Sequence, residues 1–368
     1  MKIKFTNFPR EFKSLKNLLI NKFINIGNKG QYVFGDELEN FEKKIRKTLK
    51  VKHVLGVGNW TEGTVMVLKA LGYKPKDEII TVSNSFIATC GAIAYAGLTP
   101  KLVDVGEDLN IDANQIQKII TKKTKAIMPV HLSGIPADLS SLKKICKKNK
   151  LHLIEDAAHA FGTKFKDKFI GTIGDVGIFS LHPRKSFHVL GDGGLIITNN
   201  TNLYKKILLL RNHGLKNRNE SLIWGTNSRL DNMQAGFGNI MLGKISSWNK
   251  KQLNIAKKYT KELRHILKTP VYNLENSNPT FHQYIVRTDY RDKLIKYLKK
   301  NNIDTAIHYP IPIHKQNAFK KEFGKVSLPV TEKYSKEILS LPINPYMTKR
   351  EVDFVISKIK EFFTTKKV

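Results

Sequence analysis

The feature that most restricts the fold of this chain is an alternation. Between about residue 50 and residue 200, short apolar runs recur at 54–57, 78–82, 99–104, 126–130, 151–154, 176–179 and 195–198. Amphipathic stretches such as 64–71 and 88–96 lie between them. Strands that are apolar on both faces, joined by helix-length crossovers, build a mostly parallel sheet covered by helices. A seven-stranded α/β domain is therefore predicted. After Trp248 the texture changes: a lysine-rich helical stretch over 249–267, a strand at 283–287, and helices at 292–301 and 351–363. We read a large domain over 1–248, with residues 1–30 free to pack elsewhere, and a smaller α+β domain over 249–368.

The 368 residues suit such a pair of domains, and a hydrophobic content of 41% supplies a core. No run of about 18 apolar residues is present, so no membrane insertion is expected. The first residues, Met1-Lys2-Ile3-Lys4-Phe5, lack the apolar stretch of a signal peptide. Cys90 and Cys146 have no metal-ligand spacing, and no metal or disulfide framework is expected. A cytoplasmic location is the default expectation. Lys and Arg number 63 against 31 Asp and Glu, a formal net charge of +32, which raises nucleic-acid binding as a rival reading. The lysines are scattered over helical faces such as 142–148 and 297–300, and no helix-turn-helix, zinc or aromatic-basic RNA motif accompanies them. No nucleic-acid partner is expected.

Several polar segments fall at the ends of the predicted strands. Gly58-Asn59-Trp60-Thr61-Glu62-Gly63 follows the first strand and opens a helix, where free N–H groups and the helix dipole suit an anion. Ser83-Asn84-Ser85-Phe86 follows the second and offers an aromatic for stacking. His131 ends the fourth strand. Glu155-Asp156-Ala157-Ala158-His159 ends the fifth, with His159 expected one turn from Asp156 on a short helix. Ser180-Leu181-His182-Pro183-Arg184-Lys185 follows the sixth and leads to Gly191-Asp192-Gly193-Gly194. Two further segments hold Asn227 with Arg229, and His308-Tyr309-Pro310-Ile311-Pro312-Ile313-His314. Taken singly, each fits ordinary structure: Thr61 as a helix cap, Phe86 as core, Lys185 as a solvated turn residue. Together, an acid at the end of a buried strand and a lysine in a glycine-bounded turn are what pyridoxal 5'-phosphate (PLP) needs. The lysine holds the aldehyde as a Schiff base, and the acid pairs with the pyridinium nitrogen.

In this order the segments resemble the DegT/StrS family of PLP-dependent sugar aminotransferases, of fold type I, from about Gly30 to Phe363. The resemblance implies that fold and a set of roles. Lys185 matches the Schiff-base lysine and proton carrier, and Asp156 the acid on the ring nitrogen. His159 stands where the family has Gln or His, near the ring oxygen. Phe86 matches the stacking aromatic. Trp60, Thr61 and Ser180 match phosphate-binding positions. Asn227 matches a residue reaching the phosphate from a neighbouring subunit, which implies a homodimer with shared sites. His308, Tyr309 and His314 match a loop near the sugar. Trp60-Thr61 departs from the usual Gly-Thr, although the Trp60 N–H can still meet a phosphate. Phe187 and His188 replace small or amide residues after the lysine.

The expected activity is amino transfer from glutamate to a nucleotide-linked keto sugar, in amino-sugar biosynthesis for a surface polysaccharide or glycan. Asp192 stands where several 4-keto relatives have Glu, which leans toward a 3-keto sugar. The alternatives are a sugar dehydratase, an aminotransferase acting on a cyclitol or sugar phosphate, and a PLP-binding regulator without turnover. Dehydratase relatives carry histidine at the lysine position, so Lys185 favours transamination.

Overall fold

The computed structural model describes residues 1–365. Seven strands form the main sheet: β1 His53–Val57, β2 Glu78–Val82, β3 Thr99–Val103, β4 Thr124–Ile127, β5 His152–Asp156, β6 Val176–Ser180 and β7 Gly194–Thr198. Their spatial order is β1-β7-β6-β5-β4-β2-β3. All neighbours are parallel except β7, which runs antiparallel to both β1 and β6. The expected mostly parallel seven-stranded sheet is present.

Helices α1 Phe8–Lys29, α2 Asp36–Leu49, α3 Trp60–Ala70, α4 Ala88–Tyr95, α5 Leu139–Asn149, α6 Thr201–Leu210 and α7 Asn232–Leu263 cover it. Successive strand residues feed opposite layers. Val54, Ile80, Ile127, Leu153, Phe179 and Ile197 meet Phe41, Leu142, Met241 and Ile245 on one face. Leu55, Ile79, Ala126, Ile154, Ile178 and Ile196 meet Val67, Ile93 and Ile207 on the other. Both faces are dry, which is why the runs read as continuous apolar sequence. Each fully buried Ile or Leu contributes about 1.5–3 kcal/mol over its exposed state.

Helix α3 starts at Trp60, ahead of the expected residue 64, and its cap is Asn59 rather than Thr61. The Asn59 side chain accepts the Glu62 N–H at 2.9 Å. The helix is buried nearly all round, so its start carries no amphipathic signal.

The C-terminal unit pairs β8 Tyr284–Arg287 with β9 Ile338–Leu341, antiparallel, beside α8 Arg291–Lys300, α9 Asn317–Phe323, α10 Pro329–Glu337 and α11 Lys349–Thr365. Its core joins Tyr259 and Leu263 of α7 to Leu294, Leu298, Leu339, Val355 and Ile359. Residue 248, the expected boundary, lies inside α7, a continuous helix of 32 residues. Its first half packs on α1 and α2, and its second half enters the C-terminal core. Glycines hid that first half: a Cβ at Gly238 would come within 2.8 Å of the Phe41 ring, so the close helix contact needs what looks like a helix breaker.

The N-terminal residues touch both units, Leu15 and Leu19 of α1 joining the core on one face of the sheet. Ile3 bridges to Ile303 and sits in the C-terminal core. Helix α1, capped by Asn7 with a proline in its first turn, lies along α7. It leaves Phe12, Leu18, Ile20, Phe23 and Ile24 exposed by 41–57%.

Candidate active site

The ends of β2 and β5, the start of α3 and the loop between β6 and β7 open onto one cavity of about 1310 Å3. Asp156 lies at the carboxyl end of β5 and is 3% exposed. Its Oδ1 accepts the Ala158 N–H at 3.2 Å, and its Oδ2 accepts the Thr89 hydroxyl at 3.3 Å. Burial pushes its carboxyl up to about 6, against the pull of the Ala158 N–H and of Lys185. Lys185 stands in the loop after β6 and is half-buried. Burial brings its amine down to about 8, although Asp156 pulls the other way. Desolvation therefore wins for both groups, moving acid and amine toward each other.

The N–H groups of Trp60 and Thr61, in the first turn of α3, have no intrahelical acceptor and line the same cavity. Ser180 lies opposite, its Oγ accepting the His182 N–H at 3.3 Å. The backbone around this turn is crowded: a Cβ at Gly194, the first residue of β7, would lie 2.8 Å from the Asn59 carbonyl carbon and 3.0 Å from the Trp60 nitrogen. Phe86, at 57% exposure, projects into the cavity, with its ring 6.0 Å from that of Tyr309.

His159 is in the cavity wall but not on a helix; Ala157 to Gly162, just after β5, is irregular backbone with turns. The Ala158 N–H is taken by the Asp156 side chain, and this Asx-type contact replaces helical pairing. The His159 Nδ1 accepts the Ser133 N–H at 3.3 Å, so its Nε2 carries hydrogen when the ring is neutral. Burial, then the charge of Lys185, pushes His159 well below its ordinary value. His308 bonds Ser340 Oγ through Nδ1 at 2.8 Å, and burial brings it to about 4. Burial, then Asp156, raises the Tyr309 phenol.

His314 lies elsewhere, and Asn227, expected to serve a neighbouring subunit's site, stands outside this chain's cavity. His314 is 1% exposed and is held by Ser83 Oγ at 2.6 Å and Glu332 at 3.1 Å, away from the cavity lining. Asn227 is exposed, bridges Asn212 in a loop, and does not line this chain's cavity. His131 is structural: its Nδ1 accepts the Ala137 N–H at 3.1 Å, and its Nε2 faces Glu155 at 3.3 Å. His282 escaped the sequence reading. It follows no strand and sits in no glycine-rich turn, yet its ring lies 4.5 Å from that of His159 and its Nδ1 3.3 Å from Ser186 Oγ. Burial, then Lys185, depresses it strongly. Glu11 and His188 were missed as a pair, being far apart in sequence.

These residues fit PLP. A buried carboxyl with no cation within ion-pair distance among the described residues awaits a pyridinium. An exposed aromatic awaits a ring, free first-turn N–H groups await a phosphate, and a lowered amine awaits an aldehyde.

Comparison with known proteins agrees. A pleiotropic regulatory protein of Geobacillus stearothermophilus is 35% identical, covering 99% of each chain. The dTDP-3-amino-3,4,6-trideoxy-alpha-D-glucose transaminase of Streptomyces venezuelae is 33% identical over 98% of this chain and 96% of its own. The crystal structure of S. venezuelae DesV in complex with a ketimine intermediate superposes with a TM-score of 0.95, at 33% identity, covering 98% of each chain. That of ntda from Bacillus subtilis, with bound cofactor PMP, gives 0.92 at 30% identity, covering 98% of this chain and 85% of that one. The fold is that of the PLP-dependent aminotransferases, and PLP is the cofactor of this chain. The model of one family matches residues 13–360, spanning the acid, the lysine and the phosphate-facing turn, and with that match the chain belongs to the DegT/DnrJ/EryC1/StrS aminotransferase family.

Proposed function

We propose that the protein moves an amino group from glutamate to the ketone of a nucleotide-linked sugar, in amino-sugar biosynthesis, as a homodimer that completes its sites with Asn227 of the neighbouring copy. The observation that carries this reading is the Asp156–Lys185 pair on one cavity, each group displaced toward neutrality. The Streptomyces relative's name places the amine on carbon 3 of a dTDP sugar, which matches the 3-keto leaning drawn from Asp192.

Bound PLP supplies an electron sink for the carbon that loses its proton. Asp156 would hold the ring nitrogen and keep a proton there. Lys185, its amine brought down to about 8 by burial, takes the proton from the substrate carbon and returns it on the other side of the transfer. Trp60, Thr61 and Ser180 would hold the phosphate, and Phe86 would cover the ring. His159, His282 and His308, kept neutral by burial, offer ring N–H donors to hydroxyl groups without adding charge beside the lysine.

The test is the visible spectrum of the PLP-loaded protein before and after glutamate, followed by a panel of keto sugars. Conversion to the pyridoxamine form and amino transfer to a nucleotide sugar are expected. Transfer to no nucleotide sugar would remove the substrate class. A regulator without turnover is the second reading, favoured by the name of the Geobacillus relative. It predicts PLP binding with no conversion by glutamate.

A further inference from the structure

The peptide groups on both sides of Lys185 are held, and they are held by different parts of the molecule. Its N–H donates to the His182 carbonyl at 2.8 Å, within the loop. Its carbonyl accepts from His188 Nδ1 at 2.9 Å. A carbonyl oxygen only accepts, so Nδ1 carries the hydrogen. The other ring nitrogen of His188, Nε2, faces Glu11 Oε1 at 2.8 Å. Both partners are nearly dry: His188 is 3% exposed and Glu11 9%. The His188 ring stacks on Trp248 of α7, with centroids 6.2 Å apart and planes 10° from parallel.

Glu11 is itself fixed. It belongs to the first turn of α1, and the preceding residue, Arg10, grips Glu351 with two bonds of 2.9 and 3.0 Å. Arg10 also donates to the Tyr346 carbonyl at 2.8 Å. A bidentate guanidinium–carboxylate pair sets orientation as well as distance. The first turn of α1 is thus tied to the C-terminal unit on one side and to the lysine loop on the other. Among the described residues, neither side chain has a bond beyond these that would explain a buried carboxylate against a buried imidazole at the cavity wall.

We propose that Glu11 and His188 are positioning residues for Lys185, a relay that fixes the lysine main chain so that its amine meets the cofactor aldehyde and the substrate carbon at one place. The loop between β6 and β7 has other anchors, but none on the Lys185 carbonyl itself: Ser186 Oγ meets His282 at 3.3 Å, Phe187 is buried against Phe161, and the Val189 and Leu190 N–H groups reach the Leu181 carbonyl and Gln234. Without the relay, the Lys185 carbonyl loses its partner and the amine samples a wider range of positions. Misplacement by about 1 Å costs about 100-fold in an aligned reaction.

The experiment uses the full-length protein with Glu11→Ala, His188→Phe, the double variant and Glu11→Asp. Phenylalanine keeps a ring against Trp248 and removes both hydrogen bonds. Three quantities are read: the melting temperature without cofactor, the rate at which added PLP is captured by Lys185 (followed by absorbance), and the limiting rate and apparent Kd of the glutamate half-reaction. Each single variant is expected to slow capture and the limiting rate about tenfold or more, with the Kd for glutamate within about twofold. The double variant should be no worse than the poorer single, because the two residues act as one link. Glu11→Asp should recover part of the loss. Folded variants with wild-type capture, or losses that multiply in the double variant, would overturn the relay. Should His188→Phe fail to fold, Glu11→Ala, a helix-compatible change, carries the same test. The half-reaction arm rests on the proposed amino transfer. Capture of PLP does not, so a wild-type protein that captures PLP but ignores glutamate would refute the function and still judge the relay.

Discussion

The floor of the cavity and the loop that carries Asn227 are opposites. On the floor, Asp156 is buried and bonded, Lys185 stands half-buried beside it, and both belong to one chain. The loop from His213 to Asn227 holds a short hairpin, and beyond it Leu222 and Ile223 are exposed by 52% and 40% and Trp224 by 98%. Among the described residues, nothing covers this apolar row. The contrast teaches that the reactive pair can be set by one chain, whereas the rim that would close over a phosphate is left for a second copy, as proposed above.

Replacing Lys185 with alanine strikes the floor hardest. Turnover should fall by about 10⁴-fold or more, and the spectrum of lysine-bound PLP should vanish while the fold persists. Activity near wild type would mean that the floor has another amine. Asp156→Asn should slow the glutamate half-reaction by about 10²–10³-fold, since the charge facing the ring nitrogen is lost. Stopped-flow spectra measure this, and an unchanged rate would place the nitrogen's partner elsewhere.

The rim is tested by mixing. Lys185→Ala and Asn227→Ala proteins, each impaired alone, should regain roughly a quarter of wild-type activity when co-refolded, because half the hybrid sites contain both native residues. No recovery would make the floor and the rim parts of one chain's site.

The smallest effect concerns stability without cofactor. A carboxyl raised to about 6 in the folded state keeps a proton over a range in which the unfolded chain has lost it. Folded protein then binds more protons than unfolded, so the contribution of Asp156 falls as pH rises from about 4 to about 6, by about 3 kcal/mol in total. Asp156→Asn should flatten that part of the urea-denaturation profile. The residue that costs stability is then the one that serves the reaction. A profile identical to wild type would show that Asp156 is not desolvated in solution.

The same division explains what could be read in the sequence. The floor residues follow strands buried on both faces, and their spacing was visible as apolar runs ending in Asp156 and in the Lys185 turn. The start of α7 was not, because Gly238 is there to admit Phe41 and so mimics a break. His282, Glu11 and His188 could not be read as neighbours, since tertiary packing alone brings α1, the lysine loop and the segment before β8 to one wall. His314 was placed near the substrate by its motif, whereas its ring is spent on joining Ser83 to Glu332.

Gly194 carries a consequence for how such a scaffold can change. With a Cβ there meeting the Asn59 carbonyl carbon at 2.8 Å, the partition between the strand after the lysine loop and the phosphate-facing turn is one hydrogen atom thick. A methyl group at this point would push the anion cradle and the lysine apart together. New substrate preferences on this framework therefore have to be found in the outer walls, at residues such as Arg184, Lys299 and Thr305, and mutant libraries that spare residue 194 should retain far more cofactor-competent members than those that randomise it.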